Sequence, residues 1–201
     1  MNLIFDFSGT ISDSLEVSIE ILNKFLKERK KVPITREEIR LHGLEYLAKK
    51  ANISDLSIYI LLIKSRKEIS RRIGKLFTFP KMIDVIEKLS RNNILGIISS
   101  NSKSNIKVFL GKHKMADYFK FISDEKDWFG KDKKIIKILQ EYNLKKSETY
   151  YIGDEGRDIE AAKKAGVRSI AVTWGFDSKK NLKKSNPDFI VDAPTELLFL
   201  K

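Results

Sequence analysis

Asp6 closes an apolar run that begins at Asn2, and small residues follow at once: Ser8, Gly9 and Thr10. Other segments place similar groups at their ends. The run 94–100 ends in Ser99 and Ser100, with Asn101 next. The run 149–153 is followed by Asp154 and Glu155, with Asp158 one turn on, and Gly130–Lys131 opens a helical pattern. Two acids, hydroxyls and a lysine gathered at one edge would suit a phosphate and a Mg²⁺ ion. Mg²⁺ prefers oxygen ligands, needs few carboxylates and often touches substrate phosphate. Asp6 and Asp154 could supply the carboxylates, and Lys131 and the Ser99 hydroxyl could bind phosphate oxygens. Backbone N–H groups at a helix start help to hold an anion. A carboxylate can also attack phosphorus, giving an aspartyl-phosphate.

Taken singly, each group has a plainer reading. Asp6 could cap a turn, Lys131 could be one more solvated lysine, and the acids of 154–158 could favour a helix dipole. Their order, and their shared position at segment ends, sets them apart.

The elements that must position them follow from periodicity. Apolar runs at 2–7, 94–100, 149–153, 168–174 and 188–191 read as strands, with a short one at 119–123. Between them, 81–93 has Met82, Val85, Ile86 and Leu89 on one helical face, and 132–143 has Ile135, Ile136, Ile138 and Leu139. Residues 104–113 and 155–166 read as further helices, the second ended by Gly166. Unbroken apolar strands separated by amphipathic helices predict an α/β fold: a three-layer, Rossmann-like parallel sheet. Residues 14–78 break this rhythm and read as helices only: 15–31, a piece opened by the capping box Thr35–Glu38, and 55–75 opened by Ser54. The expected division is a core of 1–13 and 79–201 with a small all-helical cap, 14–78, inserted after the first strand. The helix 55–75 carries Lys64, Arg66, Lys67, Arg71, Arg72 and Lys75, which reads first as a solvated face.

Bulk properties bound the rest. The 201 residues suit one domain with an insert, and their formal charge is +12 from 30 Lys and 9 Arg against 27 acids. The lysines are spread in pairs along the chain rather than focused, which argues against a nucleic-acid partner. Absence of cysteine excludes disulfides and thiolate metal sites. The longest apolar run, 57–63, is far short of the roughly 20 residues a membrane span needs, so no membrane partner is expected. With no leader-like start, a cytoplasmic location is the expectation. Oligomeric state is not legible.

The motifs together resemble the haloacid dehalogenase-like hydrolase superfamily, in its phosphoglycolate-phosphatase-like branch. Residues 6–14 are similar to the family's first motif, Asp-x-Asp-Gly-Thr; 96–102 resemble the second; Gly130–Lys131 fits the third; and 151–166 with 171–176 are similar to the fourth. The resemblance implies that Asp6 is the nucleophile of a Mg²⁺-dependent phosphatase acting on a small phosphorylated substrate. It implies that Ser99 and Lys131 bind the transferring phosphoryl group, with Gly9, Thr10, Ser100 and Asn101 around the substrate. Asp6, Asp154 and Asp158 would hold the metal together with the backbone carbonyl of residue 8.

Position 8 departs from the pattern. The family's phosphatases carry an aspartate there, which protonates the leaving alcohol and later activates water. Ser8 is too weak an acid and too weak a base for either task, though its carbonyl is unaltered. Loss of general acid–base help typically costs about 10²–10⁴ in rate. The expectation is therefore a slow or impaired phosphohydrolase; the alternative is a phosphate-ligand-binding protein of the same fold that no longer turns over.

Overall fold

A computed structural model of the chain describes residues 1–42, 67–124 and 130–199. Its centre is a six-stranded sheet of β1 (Asn2–Phe5), β4 (Ile94–Ser99), β5 (Phe121–Asp124), β6 (Thr149–Gly153), β7 (Arg168–Val172) and β8 (Phe189–Val191). The strand order is β5-β4-β1-β6-β7-β8, and every pairing is parallel. All six strands therefore end at the same edge. The chain builds outward on one side of β1, then returns to its other side, so the order reverses at β1. In open α/β sheets such a reversal opens a crevice beyond the strand ends.

Side chains alternate across the sheet as a strand requires. Leu3 and Phe5 of β1 pack with Met82 and Ile86 of α4 (Met82–Ser90) and Ile106 and Phe109 of α5 (Lys103–Lys112). Ile4 faces the other way, towards Ile135, Ile138 and Leu139 of α6 (Lys131–Glu141) and Ala161, Ala162 and Ala165 of α7 (Gly156–Ala165). Tyr150 and Ile152 against Tyr151 repeat this division in β6. A sheet covered on both faces explains why its strands read as unbroken apolar runs. Ile136 is only half-buried, unlike its neighbours on α6, because its position lies at the margin of the buried stripe.

Helical structure intervenes after β1, as expected. α1 (Leu15–Glu28) buries Leu15, Ile19, Leu22, Phe25 and Leu26 against Ile34 and Ile39. Ile39 belongs to helical residues 36–42 (α2), which open with the expected capping box: the Glu38 N–H donates to Thr35 Oγ1 and the Thr35 N–H to Glu38 Oε2. Helical residues 67–72 (α3) carry Arg72, which bridges Glu20 of α1 at 2.6 Å and Glu68 at 2.8 Å. Arg71 pairs with Glu68 as well. The helix start at Ser54, and Lys64 and Arg66 with it, lie outside the described residues.

One expectation fails. The segment 14–78 is not wholly helical: β3 (Phe77–Thr78) pairs antiparallel with β2 (Ser12–Asp13). Strands of two residues are too short to show alternation, so the sequence carried no signal for them. This small ribbon brings the end of the helical segment back beside its start. A further short helix, α8 (Lys179–Lys184), was also unread, since it is polar and only Leu182 is buried.

The packing yields one test. A Cβ at Gly96 of β4 would stand 2.1 Å from the Phe121 ring of the neighbouring strand. Gly96→Ala is expected to destabilise the protein by about 1–3 kcal/mol through overpacking. Urea unfolding at fixed pH measures it, and a stability equal to wild type would contradict the packing at this position.

Candidate active site

Asp6 leaves the end of β1 with its N–H donated to the Ile152 carbonyl of β6 at 2.8 Å. The chain then turns tightly. The N–H groups of Ile11 and Ser12 both donate to the Phe7 carbonyl, at 3.0 and 2.9 Å. Gly9 has φ +84°, and a Cβ there would lie 2.1 Å from Asp154 Oδ2, so only glycine lets the turn press against that carboxylate. The next residue uses the proximity: Thr10 Oγ1 donates to Asp154 Oδ1 at 2.7 Å. The Phe176 N–H donates to the other oxygen at 2.9 Å. Both oxygens of Asp154 are thus oriented, and each retains lone-pair capacity for a further partner.

Lys131 is the first residue of α6, with Gly130 as N-cap. Its Nζ contacts Asp158 Oδ1 at 2.5 Å and Asp6 Oδ1 at 3.1 Å, and sits 5.4 Å from the centre of the Tyr151 ring. The Tyr151 hydroxyl donates to the Ile98 carbonyl at 2.8 Å, holding that ring in place between β6 and β4. Asp158 caps the start of α7 with Glu155, its Oδ2 accepting from the Glu155 N–H at 3.2 Å.

Asp6, Asp154 and Asp158 are all buried, and one carboxylate oxygen of each lies within 4.8 Å of the others. Three carboxylates share this space with one ammonium. Burial pushes the Asp6 carboxyl up to about 6; Lys131 pulls it down and Asp158 pushes it further up. Burial also holds Asp154 well above the usual carboxylate range, with Glu155, Asp158 and Asp6 adding repulsion. Burial alone would lower Lys131, but Asp158 and Asp6 outweigh it and keep the ammonium protonated well above its usual range. Glu155 is paired with Arg157, which offsets part of its charge. The excess of buried, oxygen-only negative charge is what a hard divalent cation would neutralise, so the residues present fit such an ion.

The remaining expected residues divide. Ser99 ends β4, beside β1, and is fully buried; its Oγ accepts from the Asn101 N–H at 3.3 Å. Asn101 commits its side-chain oxygen to the start of α5, accepting from the Ser102 N–H at 2.8 Å and Asn105 Nδ2 at 2.9 Å. Ser100 is partly exposed. Among the described residues no hydrogen bond joins these three to the carboxylates. Ser8 is also partly exposed, and its backbone bridges to Ser12. Close by in sequence, Ser12 Oγ, Asp13 Oδ1 and Ser14 Oγ are buried with no hydrogen-bond partner.

The sequence reading matched residues 171–176 to the family's fourth motif but gave Trp174 and Phe176 no role. Trp174 Nε1 donates to the Thr10 carbonyl at 3.0 Å, and Phe176 orients Asp154 as described. A glycine between two aromatics after a strand was the available signal. It also missed Tyr151, whose alternation marks only a core position.

These features place the chain among known proteins. The model of the haloacid dehalogenase-like hydrolase family matches residues 3–172, and the chain belongs to that family. It is 30% identical over 200 residues to a phosphoglycolate phosphatase of Synechococcus elongatus, covering 98% of this chain and 94% of that one. It is 23% identical over 201 residues to the pyrophosphatase PpaX of Oceanobacillus iheyensis, covering 98% and 94%. Among solved structures, a haloacid dehalogenase-like protein of Streptococcus pneumoniae superposes with TM-score 0.81 at 24% identity, covering 98% and 96%. The chain is phosphoglycolate phosphatase-like, and the Rossmann-like α/β fold expected for it is the one observed.

The raised Asp6 carboxyl predicts an unusual pH response. In chelator, the folded state binds this proton more tightly than the unfolded chain, whose carboxyl has an ordinary pKa near 3.9. The group therefore costs stability above about pH 6, and the cost vanishes as pH falls towards 4. Asp6→Asn, which mimics the neutral acid, should be the more stable protein at pH 7.5 by an amount on the order of 2 kcal/mol. Its advantage should shrink towards pH 4. Thermal melts of both proteins across pH measure it, and a constant difference would overturn the assignment.

Proposed function

We propose that this protein is a Mg²⁺-dependent phosphohydrolase that acts on a small phosphorylated metabolite through an aspartyl-phosphate on Asp6. The observation that carries the reading is the buried group of Asp6, Asp154, Asp158 and Lys131 at the strand ends. A bound Mg²⁺ would neutralise repulsion between Asp6 and an anionic phosphate and stabilise charge in the transition state.

The chain's own groups supply the rest. Lys131 keeps Asp6 ionised and offers its ammonium to a phosphate oxygen. An Asp6 oxygen forms a bond to phosphorus as the ester P–O bond breaks, and the leaving oxygen takes a proton. Water then attacks the aspartyl-phosphate, releasing phosphate and restoring the carboxylate. Ser99, Ser100, Asn101, Gly9 and Thr10 line the phosphate side in this reading. Asp6 and Asp154 would hold the metal with the Ser8 carbonyl, and Asp158 would support it from beside them, since its Oδ1 is engaged by Lys131 and its Oδ2 by the Glu155 N–H. The leaving oxygen must draw its proton from solvent, because Ser8 cannot deliver one and Glu155 is tied to Arg157. Turnover is therefore slow and favours substrates with good leaving groups.

The same reading divides the chain into a catalytic core, 1–13 and 79–201, and a cap, 14–78, that closes over the site and selects the substrate. Its relatives' names differ in substrate, phosphoglycolate for one and pyrophosphate for another, so the reading extends to the class of small phosphate compounds and no further. A cytoplasmic location accords with it. No described helix is long and apolar enough to cross a membrane.

Hydrolysis of an aryl phosphate with and without Mg²⁺ tests this proposal. Ser8→Asp should raise the rate at least ~10-fold, the low end of what a general acid–base contributes. Asp6→Asn should abolish turnover in both backgrounds. An unchanged rate in Ser8→Asp would refute the account of position 8. Mg²⁺-dependent capture of a phosphate mimic, without turnover in either background, would favour the binding-only alternative.

A further inference from the structure

The segment 173–178, which leaves β7, is anchored on two sides. Towards the acids, the Phe176 N–H holds Asp154 Oδ2 at 2.9 Å, and the Asp177 N–H donates to the Asp154 backbone carbonyl at 3.2 Å. The Trp174 indole N–H donates to the carbonyl of Thr10, whose hydroxyl holds the other Asp154 oxygen. A Cβ on Gly175 would fall 2.3 Å from Asp154 Cβ, so the segment lies flat against that residue.

Towards the helical insert, Arg40 of α2 donates from Nη2 to the Thr173 carbonyl at 2.6 Å. The Ser178 N–H returns a bond to the Arg40 carbonyl at 2.8 Å. Asn181 Nδ2 donates to the carbonyls of Arg40 and Leu41, at 3.1 and 2.8 Å. Phe176 packs on the cluster formed by Leu15, Leu22 and Ile39. One short strap thus touches the helical insert with one edge and grips both ends of the Asp154 residue with the other.

We propose that Arg40 is a positioning residue for Asp154. Docked on Thr173, whose N–H also donates to the Val191 carbonyl at 3.1 Å and whose Oγ1 donates to Asp192 Oδ1 at 2.8 Å, it helps to fix the strap at its first residue, three positions before the N–H that orients the Asp154 carboxylate. With both ends tied, the strap has little slack, so a shift of α2 moves the Phe176 N–H. The seating of the insert and the geometry of the cation-binding carboxylate are then one mechanical unit. The proposal rests on the reading of Asp154 as a metal ligand. Arg36, on the same helix, is a natural control: it pairs with Glu16 of α1 at 2.8 Å.

Calorimetric titration of Mn²⁺ into the substrate-free full-length protein tests this without any turnover. Removing a direct hydrogen-bond partner of a metal ligand typically costs 10–100-fold in affinity, so Arg40→Ala, one step further out, should cost roughly 3–10-fold. Arg40→Lys should recover part of the loss, and Arg36→Ala should leave affinity unchanged. Wild-type affinity in Arg40→Ala, or an equal loss in Arg36→Ala, would overturn the proposal. Should Arg40→Ala fail to fold, Asn181→Ala loosens the same junction and should also weaken Mn²⁺ binding, with unchanged affinity overturning the proposal. No Mn²⁺ binding by the wild-type protein would instead end the metal reading on which it stands.

Discussion

Three buried carboxylates held against one ammonium are the constraint on which this structure turns. Unpaired charge away from water costs several kcal/mol per ion even after relaxation. A fold assembled only for stability would neutralise such a cluster or move it to the surface. Here the opposite has happened. Lys131 is wedged between Asp6 and Asp158, a tyrosine ring lies beside it, and Asp154 receives a hydroxyl and an amide donor rather than a second cation. Groups driven far from their ordinary titration range in this way cluster where chemistry is done.

The topology makes the cluster possible. Asp6 and Asp154 follow β1 and β6, and Ser99 ends β4, so the three arrive at one edge of neighbouring parallel strands. The helices that begin there, α6 and α7, bring Lys131 and Asp158 within their first turns. The carboxylates and the lysine therefore stand on rigid elements or within two residues of one, and the turn after β1 and the strap 173–178 supply the remaining contacts. That strap is also one of the places where the helical insert meets the core. The insert's own ion pairs, chiefly Arg72 with Glu20 and Glu68, hold its helices to one another, so part of its basic face is spent internally.

Ser8 stands apart from this arrangement. The buried acids and the lysine of the cluster are present, while position 8 carries a hydroxyl where the family pattern led us to expect an acid. Nearby hydroxyls at Ser12 and Ser14 are buried without partners, which leaves this turn polar but without a free acid at position 8.

Much of this was legible in the chain. The buried faces of α4 and α6, the capping box at Thr35 and Glu38, the parallel sheet and the chemical residues at its strand ends all follow from patterns spanning at most a few positions. Such patterns are local because strand and helix periods are local. The two-residue ribbon β2–β3 was too short to leave one, and the pairings of Arg72 join α3 to α1 across 52 residues. The grip of Thr10 on Asp154 spans 144 positions, and that of Arg40 on Thr173 spans 133. The sequence by itself determined which residues could do chemistry and which elements would carry them. Only the tertiary structure decided which of those side chains meet, because contacts made by chain reversal and packing leave no repeat along the polymer.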